Sequence, residues 1–229
     1  MLVKESLRTR GIIVEVGFVP PLANFSKKTL IAFQTSVEEI IDISEIKKGE
    51  GFIFMISKGD GFDGEIQINL SREKLLMHIL FPSGAIVELI EIFDSIIKIL
   101  RDIIRPHIFA PVVVNIRKQV TTQEKDANLF FTESLFKFSK EREDILGRPI
   151  QTMGIKLMMP PFLGSSREQT DAIELKIETL NEDPRDIYLE INRVFSVPIP
   201  SANFTTVKDF ILSTEDYLNN NVLDFISFK

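Results

Sequence analysis

Apolar and polar residues alternate with a period of two from Gly11 to Phe18 (GIIVEVGF), putting Ile12, Val14, Val16 and Phe18 on one side of a strand and Glu15 and Gly17 on the other. The strand leaves through prolines into VPPLANFSKKTLIAF (Val19 to Phe33). There Asn24 or Ser26 is placed to cap a helix whose apolar positions Leu30, Phe33, Val37 and Ile40 recur at helical spacing. FIFMI (Phe52 to Ile56) is apolar without alternation and predicts an interior strand. Glycines in GDGFDG (Gly59 to Gly64) permit a hairpin into EIQINL (Glu65 to Leu70). Ser71-Arg72 then turns the chain into KLLMHILF (Lys74 to Phe81), which Pro82 closes.

The most apolar stretch, Gly84 to Arg105, carries Glu88, Glu91, Asp94, Lys98, Arg101, Asp102 and Arg105 every three or four residues. A membrane-spanning helix needs about 20 mostly apolar residues, so this pattern predicts an amphipathic helix instead. Its apolar side is broad, with rows through Ile90, Phe93, Ile97 and Leu100 and through Leu89, Ile92, Ile96 and Ile99. Acids early and bases late suit the helix dipole.

The second half uses the same vocabulary. VVVNIRKQV (Val112 to Val120) predicts a strand with Asn115, Arg117 and Gln119 on one side. DANLFFTESLFKF comes next, with Phe131, Leu135 and Phe138 at helical spacing, and IQTMGIKLMM (Ile150 to Met159) is a strand stopped by Pro160-Pro161. IELKIET (Ile173 to Thr179), the turn NEDPRD and IYLEINRVF (Ile187 to Phe195) form a hairpin with Glu174, Lys176 and Glu178 outward. A last helix begins near Phe204, with a stripe of Val207, Phe210, Ile211, Tyr217, Leu218, Val222, Phe225 and Ile226 and with Asn219 to Asn221 on the wet side. VPIPSANFTTVKDFI (Val197 to Ile211) repeats the proline, Ala-Asn-Phe and hydroxyl-residue entry of the first helix; because the two passages are not equivalent in the element order, they are one local solution used twice.

Written as elements, both halves read strand, helix, three strands, helix. The expected fold is α+β: a duplicated β-α-β-β-β-α unit, a mainly antiparallel sheet and amphipathic helices packed on one face. A single domain, 1–229, would hold two pseudo-repeats at about 11–105 and 112–229. Two stretches, GIIVEVGFVPP near the start and DIYLEINRVFSVPIPSANFTTVKDFILSTEDYLNNNVLDFI near the end, resemble a sporadically distributed family of uncharacterised bacterial proteins of similar length. The resemblance covers the order of elements across most of the chain and implies no activity, because that family has none to transfer.

Composition narrows the classes. Of 229 residues 44% are hydrophobic, and 19 Phe against 2 Tyr and no Trp put the aromatic mass in purely apolar rings, which argues for a substantial core and against disorder. A net charge of −6 does not suit a phosphate-binding surface, so no nucleic acid is expected as partner. Without cysteine there is no disulfide framework, thiolate zinc site or cysteine nucleophile. MLVKESLRTR carries charges with no apolar stretch behind it, so the expected location is cytoplasmic, with no membrane association.

Motifs for chemistry are missing. The sequence contains no GxxxxGK[ST], HExxH or GxSxG, and the GxGxxG spacing of GDGFDG (Gly59 to Gly64) leads into a strand pattern, not a helix. Two histidines, His78 and His107, are too few for a three-histidine zinc site, and no metal or cofactor is expected. His78 shares the less apolar side of its strand with Lys74, and His107 reads as a connector. GDGFDG reads as a turn, not a calcium loop or phosphate cradle, because it lacks the alternating ligands and closing Glu of the first and the adjoining helix of the second. EREDI (Glu141 to Ile145) reads as a solvated helix end and SSRE (Ser165 to Glu168) as loop.

If helices cover one sheet face, alternation collects Glu15, His78, Asn115, Arg117, Glu190 and Asn192 on the other, joined by Gln67, Asn69 and Lys176. Two functional classes are compatible with such a face. The first is a non-enzymatic binding or scaffold protein that holds a small polar ligand, a protein partner or a second copy of itself on this polar face or in a groove between the halves. The second is a hydrolase or transferase whose Asp, Glu and His converge only in three dimensions.

Overall fold

In the computed structural model of the chain, residues 1–22, 26–58, 64–82, 86–136, 145, 150, 152–163, 168–180 and 182–227 are described. Every strand in which alternate residues are branched or aromatic joins one antiparallel sheet, because a ladder is how such strands bury one side and satisfy their backbone. In chain order the elements are β1 (Leu2–Val19), α1 (Lys27–Glu38), β2 (Glu45–Gly49), β3 (Phe52–Lys58), β4 (Glu65–Ser71), β5 (Lys74–Leu80) and α2 (Ile86–Ile99). The second half supplies β6 (Ile108–Thr122), α3 (Ala127–Phe130), β7 (Gly154–Met159), a small hairpin of β8 (Phe162–Leu163) and β9 (Glu168–Gln169), then β10 (Asp171–Thr179), β11 (Asp186–Phe195), β12 (Ile199–Pro200) and α4 (Thr205–Tyr217). Helix α4 continues through a π-helical turn, Leu218–Val222, into α5 (Leu223–Ser227); α2 and α3 likewise widen into π turns at Leu100–Ile104 and Phe131–Leu135.

The main sheet runs β2-β3-β4-β5-β1-β6-β11-β10-β7, with β12 added to β6 and β8–β9 forming a separate ribbon. Each half places its first strand at the central β1/β6 ladder and its last long strand next to it, with five strands on the β1 side and four on the β6 side; Val14 lies opposite Val114. The architecture is therefore α+β, as the sequence predicts. The first half nevertheless holds four strands between its helices, not three: EIKKG of β2 has no alternation to announce it and stands at the sheet edge. Strand β1 begins at Leu2, well before Gly11, because the polar segment Leu2–Arg10 pairs with the far end of β6 through register shifts. Strand β6 is also longer than VVVNIRKQV, and β7 starts at Gly154, where the sequence pattern predicts Ile150.

In the inner strands one parity is buried: Ile12, Val14 and Val16 in β1, Ile66, Ile68 and Leu70 in β4, Leu75, Met77 and Ile79 in β5, Val112, Val114 and Ile116 in β6, and Ile187, Leu189 and Ile191 in β11. These residues form a continuous apolar core with Leu30, Phe33 and Val37 of α1, Leu89, Ile90, Phe93, Ile96 and Ile97 of α2, Phe130 of α3, and Val207, Phe210 and Ile211 of α4. The helices thus pack on one side of the sheet. None is long and apolar enough to cross a membrane among the described residues.

Two helix faces differ from their sequence patterns. Helix α1 ends at Glu38, so Ile41 is buried while Ile40 is exposed. The π turn at Leu218–Val222 inserts extra backbone and rotates α5 relative to α4, burying Leu223 and leaving Phe225 exposed. Ser26 caps α1, its hydroxyl accepting from Thr29 N–H at 3.1 Å. The second passage works otherwise: Ser201–Asn203 form a short 3-10 turn, and Phe204 precedes α4 without a side-chain cap. Residues Ala23 to Phe25, including Asn24, lie outside the described residues, as do Gly59 to Asp63, Phe138, Glu141 to Asp144 and Ser165 to Arg167.

Candidate functional site on the open sheet face

The parity that points away from the helices carries all six residues singled out from the sequence. Antiparallel register turns them into transverse rows. His78 of β5 stands opposite Ile13 of β1, Ile13 opposite Asn115 of β6, and Asn115 opposite Asn192 of β11. In the next row Gly11 faces Arg117, and Arg117 faces Glu190, which faces Lys176 of β10. Glu15 sits one row to the other side, between Leu76 and Val113.

Glu190 is the hub. Its Oε1 accepts from Asn115 Nδ2 at 2.8 Å and Arg117 Nε at 3.2 Å, and its Oε2 accepts from the Tyr188 hydroxyl at 3.1 Å. Arg117 Nε also reaches Asn115 Oδ1 at 3.1 Å, closing a ring of three side chains on β6 and β11. Burial alone would push the Glu190 carboxyl up, but donation from Asn115, the Arg117 charge and the Tyr188 hydroxyl outweigh it and hold the carboxyl below its ordinary value. Tyr188 is shifted upward, first by burial and then by the neighbouring Glu190 charge, so it stays a protonated donor.

The other charges on this face also come in opposed pairs. Lys74 meets Glu15 at 2.8 Å, Lys156 meets Glu174 at 2.7 Å, Lys176 meets Glu178 at 2.7 Å and Lys58 meets Glu65 at 4.0 Å. With Arg117–Glu190, five acids oppose five bases, so this part of the face is neutral and the net charge of −6 resides elsewhere. At the far end of β11 the buried Asp186 accepts from Gln119 and from the Thr121 hydroxyl at 2.6 Å, and Arg8 lies 3.6 Å from it.

Where β1, β6, β11 and β10 run side by side the face sinks into a half-open depression of about 260 Å³. Ile13 and Val113 give it apolar floor; Glu15, Asn115, Glu190 and Asn192 line it together with Glu174 and Lys176. The Asn192 amide makes no hydrogen bond with any described residue and is the free donor and acceptor of the depression.

His78 lies outside this depression. A Cβ at Gly11 would sit 3.9 Å from Arg117 Cδ and 4.0 Å from His78 Nε2, so the two side chains flank the gap that this glycine leaves. Burial, then the Arg117 charge, lowers the His78 pKa, which keeps the imidazole neutral near pH 7. Its Nε2 is buried without a hydrogen-bond partner among the described residues. His107 is exposed in the link to β6, where its carbonyl accepts from Ser201 N–H at 3.0 Å. Among the described residues no group of three or more His, Asp or Glu is placed to hold a metal ion.

Four of the six predicted residues therefore meet at one depression, Arg117 joins through its bonds to Asn115 and Glu190, and His78 stands apart. Sequence reasoning missed Tyr188, whose place in IYLEINRVF shows the parity of Glu190 and Asn192 and so marked it for the same face. It also missed Lys118, a cation on the apolar side of β6. Compared with known proteins, the chain matches no protein-family model and no curated protein.

Proposed function

We propose that this chain is a non-enzymatic binding protein that holds a small, neutral, polar ligand in the depression on the open sheet face, at the joint between its two halves. The observation that carries the reading is the Asn192 amide, without a hydrogen-bond partner among the described residues, on a floor of Ile13 and Val113 and surrounded by charges that are already paired. Paired charges need no counter-ion from a ligand, and a free primary amide next to apolar surface recognises hydroxyl, amide or carbonyl groups with a small apolar body. A volume of about 260 Å³ suits a molecule the size of an amino acid or a monosaccharide.

The rival reading, a hydrolase or transferase built from dispersed acids and histidine, needs His78 against a carboxylate. His78 lies outside the depression that Glu15, Glu174 and Glu190 line, and the Arg117 charge acts on it more strongly than that of Glu65, which supports binding without turnover. The near-mirror strand order about the β1/β6 ladder supports descent of the halves from one duplicated unit within a single domain.

The test is a thermal-shift series with neutral amides, amino acids, sugars and nucleosides, repeated on Asn192→Leu. A true ligand at about 100 times its Kd adds about 2.7 kcal/mol, a rise of about 5–10 °C for a chain of this size. The expected result is a rise for one chemical group that Asn192→Leu removes without lowering the unliganded Tm. No rise across the panel, or a rise that survives Asn192→Leu, refutes the reading.

A further inference from the structure

The two ends of the sheet differ in a way that ligand binding on the open face does not require. An edge strand presents unpaired N–H and C=O groups, and proteins that must avoid edge pairing place charges, prolines or bulges there. Strand β2 obeys that rule, with Glu45, Lys47 and Lys48 in five residues. Strand β7, GIKLMM, does not. Its one charge, Lys156, is tied to Glu174 at 2.7 Å, and its register against β10 runs without a bulge from Gly154 opposite Glu178 to Met159 opposite Ile173.

The ladder sets the direction of the free groups. Thr179 N–H donates to the Met153 carbonyl at 2.9 Å, so Met153 and, by alternation, Ile155, Leu157 and Met159 turn their backbone groups to β10. The N–H and C=O groups of Gly154, Lys156 and Met158 point outward and have no partner among the described residues. On the helix side Ile155, Leu157 and Met159 are only partly buried, and on the open face Met158 is 66% exposed.

We propose that β7 pairs with β7 of a second copy of this chain, antiparallel, about a two-fold axis at Leu157, joining two sheets into one. The strand is self-complementary in that register. Lys156 stands opposite Met158 of the second copy, Ile155 opposite Met159, and Leu157 against Leu157, so the partly buried apolar row is covered from both sides. A two-fold axis at Lys156 would set two ammonium groups directly opposite each other, which is destabilising. With the axis at Leu157 the shared ladder runs from Ile155 to Met159, five residues, so the association is reversible and concentration-dependent.

The experiment is light scattering of the intact chain over about a hundredfold range of concentration, for wild type, Met158→Glu, Met158→Lys and Lys156→Pro. Wild type is expected to pass from monomer to dimer. Met158→Glu places a carboxylate opposite Lys156 twice per dimer and tightens the dimer by roughly tenfold, while Met158→Lys weakens it by a similar factor. Lys156→Pro removes an outward N–H that β10 does not use, and abolishes the dimer. A chain that stays monomeric throughout, leaving the edge to a strand of another protein, overturns the proposal. So does a dimer that both Met158 variants leave unchanged. The readout is association alone, so its failure is separable from failure of the ligand reading; should Lys156→Pro not fold, the opposed signs of the two Met158 variants still decide.

Discussion

Lys118 is the most exposing test of how this core is built. Its parity on β6 points it under the helices, where it is 4% exposed, and its Nζ lies 2.9 Å from Glu215 Oε1 of α4 and 2.7 Å from Asn219 Oδ1 in the adjoining π turn. At 2.9 Å the attraction between two unit charges is about 6 kcal/mol at an effective dielectric constant of about 20, against a desolvation cost of several kcal/mol per ion, so the intact pair contributes little net stability. Removing one partner is another matter. Glu215→Leu leaves the buried ammonium with the neutral Asn219 amide and no counter-charge, and is expected to cost about 3–5 kcal/mol, lowering Tm by about 10 °C. Replacing both, Lys118→Met with Glu215→Leu, removes the desolvation problem together with the attraction, and half-buried Asn219 turns to water. The double variant should fall within about 1–2 kcal/mol of wild type or exceed it, giving a coupling energy of at least about 2 kcal/mol. Urea unfolding monitored by circular dichroism, with linear extrapolation for the four corners of the cycle, supplies the numbers. A cost below about 1 kcal/mol for Glu215→Leu, or a double variant no better than the single, refutes the reasoning and places Lys118 in solvent.

Three smaller effects are expected elsewhere in the molecule. Arg105 closes the π turn after α2 at φ 58°, in the left-handed region, so Arg105→Gly should leave Tm unchanged or raise stability by about 0.5–1 kcal/mol; a clear loss would contradict it. A Cβ on Gly17 would lie 2.5 Å from the Ala110 carbonyl oxygen across the β1/β6 ladder, so Gly17→Ala should cost at least about 1–3 kcal/mol in urea unfolding, and a neutral result would mean the ladder yields. The Glu190 carboxyl is held below its ordinary pKa of 4.5, so its stabilising contribution is complete above that pH and is lost as pH falls through the lower native value. Tm plotted against pH below 4.5 should therefore fall less steeply for Glu190→Gln than for wild type, and equal slopes would remove Glu190 from the acid response.

Much of this arrangement can be read from parity alone. Side chains in a strand alternate strictly, so once Val14 and Ile191 are inward, Glu15, Glu190 and Asn192 must be outward. What parity cannot supply is register: that Asn115 faces Asn192 and Arg117 faces Glu190 depends on how β6 slides against β11, which turns and bulges decide. Strand β2 escapes notice because EIKKG buries almost nothing, and the N-terminal half of β1 because its partner is a distant part of β6. The inward Asn219 is hidden because a helical wheel assumes 3.6 residues per turn, and the π turn breaks that count before Leu223. Lys118, in contrast, carried its own signal, since a cation on the apolar parity of VVVNIRKQV requires a partner from the opposing layer.

A sheet with one helix-covered face and one bare face is the central claim, and methyl NMR with a soluble paramagnetic relaxation agent tests it most directly. Ile13 and Val113 should relax strongly, while their chain neighbours Ile12, Val14, Val112 and Val114, each no more than 2% exposed, should stay silent. Equal silence at Ile13 and Val113 would mean that the polar face is covered, and would contradict the claim.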